Sequence, residues 1–143
     1  MIKNNYFESI KNIGRKYGIE SMYVFGSRAE EIKLLIKTNS GTLSDSDSDL
    51  DIGVHYISGV NPSVDNKVML AQELESLFKV KRIDLADFSE AGPFLALSII
   101  EGELIYCTNE IEQAEFELYI LRRAGDLAYF ERERRKNILG GEI

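Results

Sequence analysis

The chain has 143 residues, 44% of them hydrophobic, which suits a soluble globular fold with its own core and predicts one domain over 1–143. Its 24 acidic residues against 17 basic ones leave a formal charge of -7, which argues against non-specific binding to DNA or RNA. One histidine and one cysteine, Cys107, exclude an internal disulfide and a zinc cluster. Any metal is therefore expected to be a hard cation held by carboxylates, magnesium or manganese first. With no long apolar stretch at the amino terminus, the reading is a cytoplasmic protein without a membrane span.

Tyr6, Ile10, Ile13 and Tyr17 recur at helical spacing and predict a first helix stopped by Gly18. The β-prone run Met22, Tyr23, Val24 and Phe25 predicts a strand ending in a tight Gly26-Ser27 turn. Residues 30–37 read as a helix, and 38–48, polar and rich in serine and threonine, as a loop. A strand over 49–56 alternates Leu50, Ile52 and Val54 with Asp49, Asp51 and Gly53, so one face is apolar and the other begins with two carboxylates. Pro62 and Ser63 open a helix whose shared face is expected to be Val64, Val68, Ala71, Leu74 and Phe78.

A strand over 81–88 then sends Ile83 and Leu85 one way and Asp84 and Ala86 the other. A helix over 93–100, a short strand over 103–106 and a long helix over 111–139 follow. In that last helix Ile111, Ala114, Leu118, Leu121 and Ala128 form an apolar stripe, and Arg132, Arg134, Arg135 and Lys136 complement the negative end of its dipole. The order describes an α/β fold with a small mixed sheet, helices on the sheet and a long C-terminal helix.

Asp49 and Asp51, two residues apart on a strand, project from the same face and can share one divalent ion. Without a cation, like charges this close repel and raise each other's pKa. The bland reading of SDSDSDLD, a solvated acidic loop, is opposed by its passage straight into an alternating strand. Asp84 adds a third carboxylate on another strand, and such a triad is what a two-metal phosphoryl or nucleotidyl transfer site needs. The Gly26-Ser27 turn offers close backbone approach, an N–H and a hydroxyl to a phosphate.

These segments, YVFGSRA, SDSDLDIGV and KRIDLADF, resemble the minimal nucleotidyltransferases of the DNA polymerase β superfamily. The resemblance runs through FLALSIIEGELIY and the last helix, nearly the whole chain. It implies a nucleotide-binding turn at Gly26, Ser27 and Arg28, and Asp49, Asp51 and Asp84 as catalytic metal ligands holding two Mg²⁺ ions, with ATP as substrate. Two departures stand out. Glu30 and Glu31 follow Ala29 where the family commonly has arginine and glycine, and the segment between Ser27 and Asp49 is longer than in short members. Lys33 or Lys37 from that segment is a candidate substitute for the arginine.

Short members of this family resemble the antitoxin half of HEPN/MNT toxin–antitoxin pairs, in which AMP passes from ATP to a tyrosine of the HEPN toxin. The chain's size and acidity suit a protein acceptor. The alternatives are a catalytically degenerate antitoxin that neutralises by contact alone, and transfer to a small aminoglycoside-like hydroxyl. Phe116, Tyr119, Tyr129 and Phe130 mark the last helix as a candidate docking surface, and a homo-oligomer stays open. His55 is read as a packing residue and not a general base.

Overall fold

The computed structural model describes residues 5–39 and 49–138. Its elements are α1 (Tyr6–Lys16), β1 (Ile19–Phe25), α2 (Ala29–Thr38), β2 (Leu50–Tyr56), α3 (Val64–Phe78), β3 (Ile83–Asp87), α4 (Pro93–Ile100), β4 (Glu103–Cys107) and α5 (Glu110–Ile138). The order matches the sequence reading. The loop expected over 38–48 begins with Thr38 still inside α2, and 40–48 lie outside the described residues.

Four strands form one mixed sheet in the order β3-β2-β1-β4. β1 runs antiparallel to both β2 and β4, while β2 and β3 run parallel, as strands joined by a crossover helix must. Helices cover both faces. On one face, Tyr6, Ile10 and Ile13 of α1, Ile32 and Leu35 of α2, and Leu70, Leu74 and Phe78 of α3 bury Met22, Val24, Leu50, Ile52, Val54 and Ile83. Tyr6 stacks on Phe78 with ring centroids 6.1 Å apart, tying the first helix to the third. On the other face, Ala96 and Ile99 of α4 and Ile120 of α5 pack with Tyr23 and Phe88.

Local chemistry explains where the elements begin and end. The Asn5 side chain accepts a hydrogen bond from the Glu8 N–H (3.2 Å) and caps α1, and Ser63 caps α3 through the Asn66 N–H (3.1 Å). Gly18 takes a left-handed φ of 66°, which turns the chain from α1 into β1. Pro93 opens α4 at a position where a missing N–H costs nothing.

Two helix faces differ from the sequence reading. In α3, Val64 is 77% exposed and Val68 is also exposed, and the buried row is Leu70, Leu74 and Phe78. Leu74 and Phe78 are buried as expected, but the row runs back to Leu70 and not to Val68 and Val64, so α3 leans on the sheet only from Leu70 onward. In α5 the expected stripe is left outside: Ile111, Leu118 and Leu121 are exposed, and Gln113, Ile120 and Ala124 are buried. The rotation of α5 is set by a polar link. Tyr23 on β1 donates to Glu117 (2.6 Å) and accepts from Gln113, so those two α5 residues must face the sheet. The inward row also buries apolar surface, through Phe116, Ile120 and Ala124, so the hydrogen bonds at the buried hydroxyl decide between the two rows.

His55 stacks on Phe116 with centroids 3.9 Å apart, and its Nδ1 is buried without a hydrogen-bond partner among the described residues. Burial pushes the imidazole pKa below its ordinary value, against weaker opposite pulls from Glu20 and Asp87. The folded state therefore prefers the neutral ring. As pH falls below the ordinary histidine pKa of about 6.5, the unfolded chain takes up a proton that the folded one resists, and stability drops until the lowered pKa is passed. Thermal melts from about pH 7.5 to about pH 5.5 should show a decline for the wild type that is visibly flatter in His55→Phe.

Candidate active site

The face of β2 opposite the α1–α3 core reads Asp51, Gly53, His55, because side chains alternate along a strand. The same face of β3 carries Asp84 and Ala86. Parallel register places Asp51 beside Asp84 and Gly53 beside Ala86. α4 covers the small residues: a Cβ on Gly53 would collide with the Ile99 side chain. Past this contact the face opens, and Asp51 and Asp84 lie at the mouth, with Asp84 exposed.

Asp49 stands immediately before β2. The Leu50 N–H donates to the Arg82 carbonyl (3.2 Å), which fixes the starts of β2 and β3 side by side. Arg82 Nε then lies 3.6 Å from Asp49 Oδ2. Burial raises the Asp51 pKa, and Asp84 and then Asp49 raise it further. The three carboxylates thus share one electrostatic site. Among the described residues no three acidic, histidine or cysteine side chains are gathered into a preformed metal cage, and Asp49 is paired with Arg82.

The turn after β1 closes the site from the other side. Phe25 pairs with Asp51 across β1 and β2, so the next residue, Gly26, lies over the Asp51 carboxylate. Gly26 has a φ of 78°, and a Cβ there would come 2.6 Å from Asp51 Oδ2. Both facts require glycine. Residues Gly26–Arg28 form a 3-10 turn that leads directly into α2. Ser27 is exposed, whereas Arg28 is only 4% exposed, with Nη2 3.5 Å from Glu31 Oε2. Of the three predicted turn residues, Gly26 lies against the Asp51 carboxylate, Ser27 is exposed, and Arg28 is buried at the start of α2.

Lys33 pairs with Glu103 on β4 (3.4 Å), at the sheet edge away from β3, so it does not fill the arginine's place beside the triad. A cation that stands beside Asp49 is Arg82, which the sequence reading passed over. Its signal was present in KRIDLADF, two positions before Asp84, the spacing that returns to the same face of an extended chain. The chemistry of the set suits a hard divalent cation: oxygen donors, a carboxylate under charge strain, and backbone free to approach an anion.

The chain matches the family described as Polymerase beta, Nucleotidyltransferase over residues 8–111, which includes every site residue named above. No curated protein matches it by sequence. The fold is similar to that of a toxin–antitoxin crystal structure with AMP-PNP, at TM-score 0.66 and 17% identity, covering 93% of this chain and 98% of that one. It is also similar to a chain from the complex of tri-AMPylated Shewanella oneidensis HEPN toxin with MNT antitoxin, at TM-score 0.58 and 19% identity, covering 96% of each. A minimal nucleotidyltransferase structure aligns at TM-score 0.50 and 24% identity over 68% of this chain and 85% of that one.

The charge strain at Asp51 has a measurable consequence. Asp51→Asn should raise the melting temperature of the metal-free protein at neutral pH, because it removes a charge that burial and two neighbours oppose. Added Mg²⁺ should stabilise the wild type and leave the variant unchanged, by calorimetry or thermal shift. Gly26→Ala should cost about 1–2 kcal/mol in urea unfolding from its left-handed backbone alone.

Proposed function

This chain belongs to the polymerase beta nucleotidyltransferase family, and we propose that it is a Mg²⁺-dependent transferase that moves AMP from ATP to a tyrosine hydroxyl of a HEPN-type toxin, acting as the antitoxin in the cytoplasm. The observation that carries this reading is the meeting of Asp49, Asp51 and Asp84 under the Gly26-Ser27 turn. The toxin acceptor is supported by the kind of complexes in which similarly folded chains occur, one with AMP-PNP and one with an AMPylated toxin.

In this reading Asp51 and Asp84, joined by Asp49, hold the metal. Bound there, Mg²⁺ supplies charge for the triphosphate and lowers the pKa of the attacking hydroxyl. The chain's own groups do the rest. Gly26 and Ser27 present N–H groups and a hydroxyl to the phosphates, assisted by the positive end of α2. Arg82, once Asp49 turns to a cation, is free to pair with a phosphate oxygen. The acceptor oxygen forms a bond to the α-phosphorus as the bond to pyrophosphate breaks, and the hydroxyl proton passes to Asp84, the most exposed of the three carboxylates.

A second reading, neutralisation by binding alone, is favoured by one observation. Glu30 and Glu31 occupy the first turn of α2, and although Glu31 is paired with Arg28, the added negative charge there opposes an incoming phosphate. The two readings separate cleanly. With labelled ATP, Mg²⁺ and a HEPN-type toxin, transfer places label on a toxin tyrosine, and Asp51→Asn lowers the rate at least about a hundredfold while toxin binding survives. Toxin silenced without label supports binding alone, and label on an aminoglycoside-like hydroxyl without toxin supports a small-molecule acceptor.

A further inference from the structure

The rotation imposed on α5 by Tyr23 leaves its most regular apolar row facing outward. Ile111, Ala114, Leu118, Leu121, Gly125 and Ala128 follow one another at spacings of three and four, the seam by which two helices pack side by side. Ile111 is 73% exposed, Leu118 50% and Leu121 49%. A side chain placed on Gly125 would meet nothing within 4 Å. Beyond Ala124 no described residue of α5 is buried, so the second half of the helix packs only loosely against the other described residues. An exposed helix of this kind draws little stability from propensity alone.

We propose that this seam is a self-association surface, on which a second copy of the chain docks with its α5 antiparallel to the first. The argument lies in the sequence reversed upon itself. With the two helices crossing at the middle of the seam, Leu118 meets the partner's Leu121, Ala114 meets the partner's Gly125, and Ile111 meets the partner's Ala128. Each of the six seam residues then faces another seam residue. The Ala114 and Gly125 layer lets the backbones approach closely, while the central leucines fill the crossing.

Charge selects the antiparallel arrangement. On the flank turned away from the chain's own core, exposed Glu115 faces the partner's Arg122, and the two-fold axis repeats the pair. A parallel arrangement would set Glu110 against the partner's Glu115 and would need Glu117, which already accepts from Tyr23. At the end of the antiparallel overlap Glu131 approaches the partner's Glu110, but its charge is met by Arg134 at 3.0 Å in its own helix. Because the same patch serves both copies, the contact closes as a dimer and does not propagate into a filament.

Sedimentation velocity on the full chain tests this without reference to nucleotide transfer. The wild type should shift from monomer to dimer as concentration rises, and Leu118→Glu with Leu121→Glu should stay monomeric, with the melting temperature that the wild type has at concentrations where it is monomeric. Glu115→Arg or Arg122→Glu alone should weaken association about tenfold, and the two together should restore it. In a second test, Ala114→Cys with Gly125→Cys should give a covalent dimer on oxidation. A wild type that is monomeric throughout, a dimer indifferent to the leucine changes, or a seam covered solely when toxin is added would each overturn the proposal.

Discussion

The phase of β2 is the constraint on which the rest of the molecule depends. Leu50, Ile52 and Val54 are buried under α1, α2 and α3, and this commits Asp51, Gly53 and His55 to the opposite face. A slip of one residue would carry three aliphatic side chains out of the core and bring Asp51 into it, so the register is fixed by burial before any chemistry is considered. Parallel pairing then transmits that phase to β3 and sets Asp84 beside Asp51. Antiparallel pairing transmits it to β1 and sets Gly26 above the same carboxylate.

The resulting site is held in electrostatic tension by a fold that is otherwise apolar at that point. Asp51 is opposed by burial and by two like charges, and Arg82 answers part of that charge through Asp49. Such a site is stable because the sheet around it is well packed, and in the proposed reading its unfavourable charge favours an arriving cation. Glu30 and Glu31 pull the other way, reserving the end of α2 for acids of the chain itself. In the proposed reading Arg82 favours a phosphate, while these two glutamates, of which Glu31 is paired with Arg28, oppose it.

Strand phase made much of this legible from residues alone. The alternation in LDIGV and in RIDLAD defines which side chains share a face, and the structure follows it residue by residue in β2 and β3. Helix faces were harder, because α3 and α5 each carry two apolar rows and spacing cannot choose between them. In α5 the choice was made by Tyr23, Gln113 and Glu117, a contact between residues far apart in sequence. The same limit hid Arg82, whose partner Asp49 lies on a different strand start. Arg28 was grouped with the turn by its neighbours in sequence, which could not show that its side chain is buried.

The central claim is that Asp51 and Asp84 share one cation with Asp49 beneath the Gly26 turn. The most direct measurement is a crystal structure with Mn²⁺ and a nonhydrolysable ATP analogue, with the ion located by its anomalous signal. The account predicts manganese bound by Asp51 and Asp84, Asp49 turned from Arg82 to the metal, and the triphosphate against Gly26 and Ser27. Manganese bound away from Asp51, or an Asp84 carboxylate that stays directed at solvent with the nucleotide in place, would contradict it.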